Sequence, residues 1–311
     1  MQTLETLRRQ INSTESLHSV VRTMKVLSMT SIRQCEAAVE SLNEYSRTVR
    51  LGLQIALRHR PHEGRPLPTS SSGRLGVIVF GSAWGMCGRF NENLAQHTAE
   101  RLLEESGQKT VLVLGEYVGG ALESQGVVPD DQSAVPESVD GITARVQELL
   151  IEIEQWRLNR KIDRVLLFYN ESTSGSGYDP TTQRLLPLDE AWLNQLGQEA
   201  WPTRQVPTFR GDWASLFSSL VRQYFFVSLY RAFAESLASE HGSRLAAMQM
   251  AEDNVEDRLD DLQDRFHRTR QNAITEELLD ITSGFEALRT EATPTTPDAN
   301  LQDSTTKSRR Q

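Results

Sequence analysis

The sequence predicts a mixed α/β chain in which two long terminal helices pair as an antiparallel coiled coil around an inserted α/β domain. Three observations carry this expectation. The first 51 residues contain neither proline nor glycine. Short continuous apolar runs then alternate with helical patterns, and from Asp212 to Leu288 proline is again absent. Two long helices at opposite ends of a chain can bury their apolar stripes only against each other or against partners, so an antiparallel hairpin is the economical solution.

In the first segment, residues 1–60, apolar residues recur at Leu4, Leu7, Ile11, Leu17, Val20, Met24 and Leu27, then at Ala38, Leu42, Tyr45 and Val49. Steps of three and four mark an amphipathic helix, roughly 75 Å long or more at about 1.5 Å per residue. A strict heptad from Leu4, Leu7 and Ile11 continues through Thr14, His18, Val21, Lys25, Ser28 and Ile32. Polar seam residues lower coiled-coil stability. Such a helix suits a rod held loosely inside a larger protein sleeve. Alternatively, its seam drifts around the helix because periods of 3.6 and 3.5 do not match.

Residues 61–74, with Pro61, Gly64, Pro66, Pro68 and Ser70-Ser71-Ser72-Gly73, read as a mobile linker. Residues 75–207 form the α/β domain. The buried-strand signals are Leu75 to Phe80, Val111 to Leu114 and Arg164 to Phe168, separated by helical patterns at Asn91 to Glu105 and Gly141 to Arg157. That alternation indicates a mostly parallel, Rossmann-like sheet. Residues 208–288 form the second long helix, with Met248, Val255, Leu259, Leu262, Phe266, Thr269 and Ala273 following a coiled-coil seam. Residues 289–311, rich in Thr, Asp and Ser, are expected to be disordered.

A formal net charge of −9 argues against nucleic acid as a principal partner. The charge is uneven: the segment up to Arg60 is basic and Glu252 to Asp264 is acidic. Neighbouring segments, differently charged docking partners and plain solvated faces all fit that pattern. No apolar run approaches the roughly 20 residues of a membrane span, and the first ten residues lack a secretory block. A soluble, cytosolic chain without direct membrane insertion is expected. The two cysteines, Cys35 and Cys87, form no metal or disulfide pattern. Gly85-Met-Cys-Gly88 follows a strand but lacks both GxGxxG and GK[ST], so it reads as a tight turn with Cys87 as a small buried side chain. His241 beside Glu240 could form an acid/base pair, but the two read as a structural helix surface. No catalytic residue, metal or cofactor is expected.

Arg9-Gln-Ile-Asn-Ser13 with Thr23-Met-Lys-Val-Leu-Ser-Met-Thr-Ser-Ile-Arg33, and Gly85-Met-Cys-Gly-Arg-Phe-Asn91, resemble the start and the Gly-Leu-Cys-Gly-Gly-Phe-Asn motif of the F-type ATP synthase γ-subunit family. Tyr169-Asn170 and Gln183-Arg-Leu-Leu-Pro187 resemble its sheet motifs. Ser236 to Arg244, Ala247-Met248, Asp253-Asn254 and Ala273 to Leu278 resemble its last helix. The resemblance runs from about residue 1 to 288, and its strength lies in the order and separation of the motifs. Ser82-Ala-Trp84 departs from the usual Ser/Thr-Asp-Arg, Gly242 from the usual Ala, and the tail is longer than in most members. These departures suggest a divergent member, of the alternative N-type ATPase.

The resemblance implies a central rotor shaft. The paired helices would thread a hexamer of alternating alpha and beta subunits, with the α/β domain outside beside the epsilon subunit and the membrane c-ring. It implies a peripheral place on the cytoplasmic side of the bacterial plasma membrane, with ATP chemistry left to the beta subunits. Met24 and Lys25 would lie against mobile loops of the beta subunits, and Arg270, Gln271, Thr275 and Glu277 would contact the same subunits. Two other classes compete. A hydrolase or nucleotide-binding enzyme would need a triad or fingerprint that residues 75–207 lack. A coiled-coil scaffold or adaptor explains the helices but not the ordered motifs between them.

Overall fold

The computed structural model describes residues 3–59, 73–173 and 177–291. The expected linker lies almost wholly outside them, as does the expected tail beyond Glu291. The chain divides into two compact units, one running from His18 to Asn254 and the other combining the segment up to Leu17 with that from Val255 onward.

Helix α1, Leu4–Arg58, runs 55 residues without a break, as expected of a stretch free of proline. Strands β1 (Leu75–Phe80), β2 (Lys109–Leu114), β3 (Asp131–Ser133), β4 (Arg164–Ser172) and β5 (Tyr178–Leu186) form a sheet in the order β3-β2-β1-β4-β5. The first four strands are parallel and β5 pairs antiparallel to β4. Helices α2 (Phe90–Leu103), α3 (Val118–Ser124), α4 (Val139–Asn159) and α5 (Glu190–Gln198) connect or follow them. Helix α6, Trp213–Glu291, takes 79 residues and passes unbroken through Gly242. It extends three residues past the expected boundary at Leu288.

Every residue of β1 is buried, which explains its lack of alternation in sequence. Its side chains nevertheless divide between two cores. Leu75, Val77 and Val79 pack with Leu94 of α2 and Val118 and Leu122 of α3. Ile78 and Phe80 pack on the opposite face with Val146 and Trp156 of α4 and Phe233 of α6. The long C-terminal helix therefore completes one layer of the sheet domain. The rings of Phe80 and Phe233 meet edge to face at 4.8 Å.

Within the His18–Asn254 unit, α1 and α6 run antiparallel. Trp213 donates to the Ala56 carbonyl at 2.6 Å, Tyr45 to Gln223 at 2.7 Å and Arg231 to Asn43 at 2.7 Å. Leu42, Val49 and Leu53 of α1 share a core with Val227 of α6 and Leu196 of α5. Asp189 caps α5 by accepting from the Ala191 amide. Neither α5 nor α3 has a counterpart in the sequence reading, because each is too short to show a period.

β1 and α4 pack closely at Gly76, where a Cβ would sit 2.7 Å from the Trp156 ring. Gly76→Ala should destabilise the chain by about 1–3 kcal/mol through overpacking. Adding Trp156→Leu should recover part of the loss. Urea unfolding midpoints of the two variants check this, and an unchanged midpoint for Gly76→Ala would contradict the contact.

Candidate subunit interface

Burial along α1 follows one strict heptad. Leu4, Leu7, Ile11, Thr14, His18, Val21, Lys25, Ser28, Ile32, Cys35, Leu42 and Val49 are all buried or half-buried. The seam does not drift. It carries its polar residues inward while Leu17, Val20 and Leu27 stand 51%, 52% and 61% exposed. Those three sit one residue ahead of seam positions His18, Val21 and Ser28. Expecting them on the buried stripe, with the exposed Tyr45, is corrected by the structure: an apolar stripe need not face the chain's own partner helix.

On α6 the seam holds at Met248, Val255, Leu259, Leu262, Phe266 and Thr269, all buried or half-buried, and stops before Ala273, which is exposed. From Arg270 to Phe285 every side chain is exposed. Here too an apolar stripe at steps of four, three and four lies off the seam, at Ile274, Leu278, Ile281 and Phe285. Contiguous exposed apolar surface of this kind marks a protein contact.

Arg270, Gln271, Thr275 and Glu277 thus stand in a fully exposed helical stretch. Thr275 returns its hydroxyl to the Gln271 carbonyl at 2.9 Å, and the side chains of Arg270, Gln271 and Glu277 are exposed. Met24 and Lys25 are only half exposed. Lys25 donates to the Glu252 carboxylate of α6, and His18 lies 4.0 Å from the same group. That hydrogen bond, with the nearby positive charges, holds the Glu252 carboxyl below its usual range. Glu252 lies on the strict α6 heptad between Met248 and Val255. An apolar search passes over it, whereas counting the heptad through polar residues finds it.

A second constellation lies where the parallel strands end. In open α/β sheets the crevice at the carboxyl ends of the strands is the usual ligand site. In this chain α6 occupies it. Ser236 donates to the Phe80 carbonyl, Ser239 to Asn170 and Ser243 to Cys87, at 3.1, 2.9 and 2.6 Å. Glu240 accepts from the Ala83 amide, and Arg244 donates to the Trp84 and Gly85 carbonyls. The two charges pair with each other at 2.6 Å and are almost fully buried. Glu240 is therefore no surface residue, contrary to the sequence expectation.

Burial drives the electrostatics here. It pushes the Glu240 carboxyl up against the opposing pull of Arg244. It pushes His241 down to about 4, with Arg244 adding to the effect, so His241 is neutral near pH 7. Cys87 is buried and its thiol is raised by the same cause, which disqualifies it as a nucleophile. The Cys35 thiol is raised to about 12. In the turn itself Gly88 takes the left-handed region at φ 58°, and so does Met86 at φ 59°. At Ala83 and Trp84, where the sequence departs from the family motif, α6 holds the turn through its backbone.

One turn before, Glu235 is buried beside β4. Burial, then Glu171, raises its carboxyl to about 7, with Arg231 opposing, and its Oε2 has no hydrogen-bond partner among the described residues.

Residues 3–288 match a protein family described as ATP synthase. The ATP synthase gamma chain of Geotalea daltonii is 26% identical over 294 residues, covering 93% of this chain and 100% of that one. The ATP synthase gamma chain of Salinibacter ruber is 30% identical over 311 residues, covering 93% and 99%. Among solved structures, a chain of the Euglena gracilis mitochondrial ATP synthase (OSCP/F1/c-ring, rotational state 3) aligns with a TM-score of 0.65 at 15% identity, over 96% of this chain and 99% of that one. A chain from the central stalk and c-ring of the Tetrahymena thermophila mitochondrial ATP synthase aligns with a TM-score of 0.52 at 18% identity, over 75% and 99%.

Two outcomes follow from the electrostatics. Arg244→Met strands the Glu240 charge and should cost about 3–5 kcal/mol, a deficit that shrinks in acid because protonation removes the stranded charge. Unfolding at several pH values measures it, and a deficit independent of pH would contradict the assignment. For Glu235, a carboxyl raised from 4.5 to about 7 means the folded chain holds a proton that the unfolded chain releases. Its contribution is greatest below pH 4.5 and is lost as pH rises to about 7. Glu235→Gln should therefore gain stability on the parent across that window, by up to about 3 kcal/mol; parallel stability curves would refute it.

Proposed function

Because this chain belongs to the ATP synthase gamma-chain family, we propose that it is the central rotor shaft of an F-type ATP synthase, coupling rotation of the membrane c-ring to conformational change in the catalytic beta subunits. The observation that carries this reading is the pair of off-seam apolar stripes, Leu17, Val20 and Leu27 on α1 and Ile274, Leu278, Ile281 and Phe285 on α6. Neither stripe is covered by the described residues of this chain. A sleeve of alpha and beta subunits supplies what they lack.

In this reading residues 1–60 and 208–288 make the shaft, and residues 75–207 lie outside the hexamer beside the epsilon subunit and the c-ring. No described helix is long and apolar enough to cross a membrane. In the same reading the subunit is peripheral to the membrane complex, on the cytoplasmic side of the bacterial plasma membrane.

The shaft performs no ATP chemistry. A helical pair is asymmetric in cross-section, so each orientation presents different side chains to each beta subunit. A beta subunit shifts between states only if those contacts differ in strength between the states. Met24 beside the α1 stripe, and Arg270, Gln271, Thr275 and Glu277 beside the α6 stripe, are the residues we assign to such contacts. Lys25 presents its charge inward to Glu252, so its effect on a beta subunit passes through the α1 backbone and Met24.

Replacing Leu278 and Phe285 together by Asp should leave folding of the chain unchanged, since both side chains are exposed. It should lower coupled ATP synthesis in the reconstituted complex by about tenfold or more, consistent with loss of apolar anchors each contributing about 1–3 kcal/mol. Wild-type synthesis rates with normal assembly would refute the sleeve contact.

A further inference from the structure

We propose that Lys25 and Glu252 form a cross-helix lock that fixes the axial register and rotation of α1 against α6, and so positions the outward residues around Met24. The proposal rests on the shaft reading for its functional consequence, but its structural basis stands apart from it.

Both residues occupy strict seam positions. Lys25 continues His18 and Val21 on α1, and Glu252 stands between Met248 and Val255 on α6. They lie 227 residues apart in sequence and are joined by an ion pair whose side chains are 24% and 15% exposed. His18, one heptad before Lys25, approaches the other carboxylate oxygen of Glu252. Closer to the sheet domain the pairing is fastened by apolar cores around Leu42, Val49 and Cys35. Toward His18 the apolar content of the α1 seam falls away, with Ser28 and Lys25 in place of leucines. The ion pair sits in this weak stretch.

A pair of leucines would serve stability as well or better, because a partly buried ion pair gives back much of its attraction in desolvation. What a charged seam pair adds is selectivity, as polar seam residues do in fixing coiled-coil register. A slip of one heptad moves one helix about 10 Å along the other. In either direction it would set Lys25 against a leucine, Leu245 or Leu259, and leave a charge without its partner. Smaller rotations break the hydrogen bond. Turning α1 by one position would also bring the Leu17, Val20 and Leu27 stripe onto the seam, which has ample apolar character to accept it. The lock opposes that alternative packing and keeps the stripe outward.

The test uses the full chain with Lys25→Glu, Glu252→Lys and the charge-swapped double variant. Spin labels at Val20→Cys and Met250→Cys, both exposed positions, report the spacing of the helices, the two native cysteines being buried. Each reversal should broaden or shift the distance distribution, and the swap should restore it. In the reconstituted complex, ions pumped per ATP hydrolysed should fall roughly fivefold in each reversal, with hydrolysis retained, and recover in the swap. Unchanged distances in the single reversals, or a swap no better than either, would overturn the lock. So would a Lys25→Glu defect that Glu252→Lys neither shares nor repairs, which would assign Lys25 to a beta subunit directly. Restored distances in a complex whose pumping never responds to any variant would uphold the lock and count against the shaft reading.

Discussion

The polar junction between α6 and the carboxyl ends of the parallel strands is the constraint on which the rest of the His18–Asn254 unit depends. Three serines, a glutamate and an arginine on α6 satisfy backbone groups of β1, β4 and the turn after β1. Groups of this kind are costly when buried unpaired. Because each partner is a backbone atom at a fixed place on the sheet, the helix has one docking position and one rotation. An apolar face such as Phe233 on Phe80 supplies driving force, but it tolerates sliding in a way that Glu240 and Arg244 do not. A torque on the helix is therefore delivered to the sheet domain, and the reverse.

The same junction explains why a doubly wound sheet appears here without the chemistry that often accompanies one. Its crevice is filled by side chains of the same chain, and the turn Gly81 to Gly88 presents carbonyls and amides to α6. The glycine-rich look of Gly85-Met-Cys-Gly88 reflects backbone geometry at Gly88 and tight packing. Fold and function separate at this point, since the site and not the sheet decides activity.

The paired helices show a second separation, between the pattern that makes a helix and the pattern that chooses its partner. Both α1 and α6 carry more apolar faces than one seam can bury. Between Thr14 and Ser28 the intramolecular α1 seam takes Thr14, His18, Lys25 and Ser28 and leaves Leu17, Val20 and Leu27 outside, while on α6 the apolar stripe changes face beyond Thr269. An isolated coiled coil arranged so would be poor. In the proposed reading as an axle within a closely fitting sleeve it is coherent, because a weak seam with polar fastenings leaves the apolar surface for contacts that must be made and broken in turn.

Sequence periodicity by itself determined the two long helices and the run of buried strands with their intervening helices, because these follow from local propensity and spacing. The family motifs added a role and a set of contact residues, of which Arg270, Gln271, Thr275 and Glu277 stand on an exposed helix. Only the tertiary structure decided which of two helical faces was the seam, that Glu240 is buried and not on a surface, that Lys25 is engaged by Glu252, and that β5 closes the sheet antiparallel. Each of these turns on a partner tens to hundreds of residues away. Periodicity states that a face exists, whereas the free energy of burying it depends on what long-range pairing places against it.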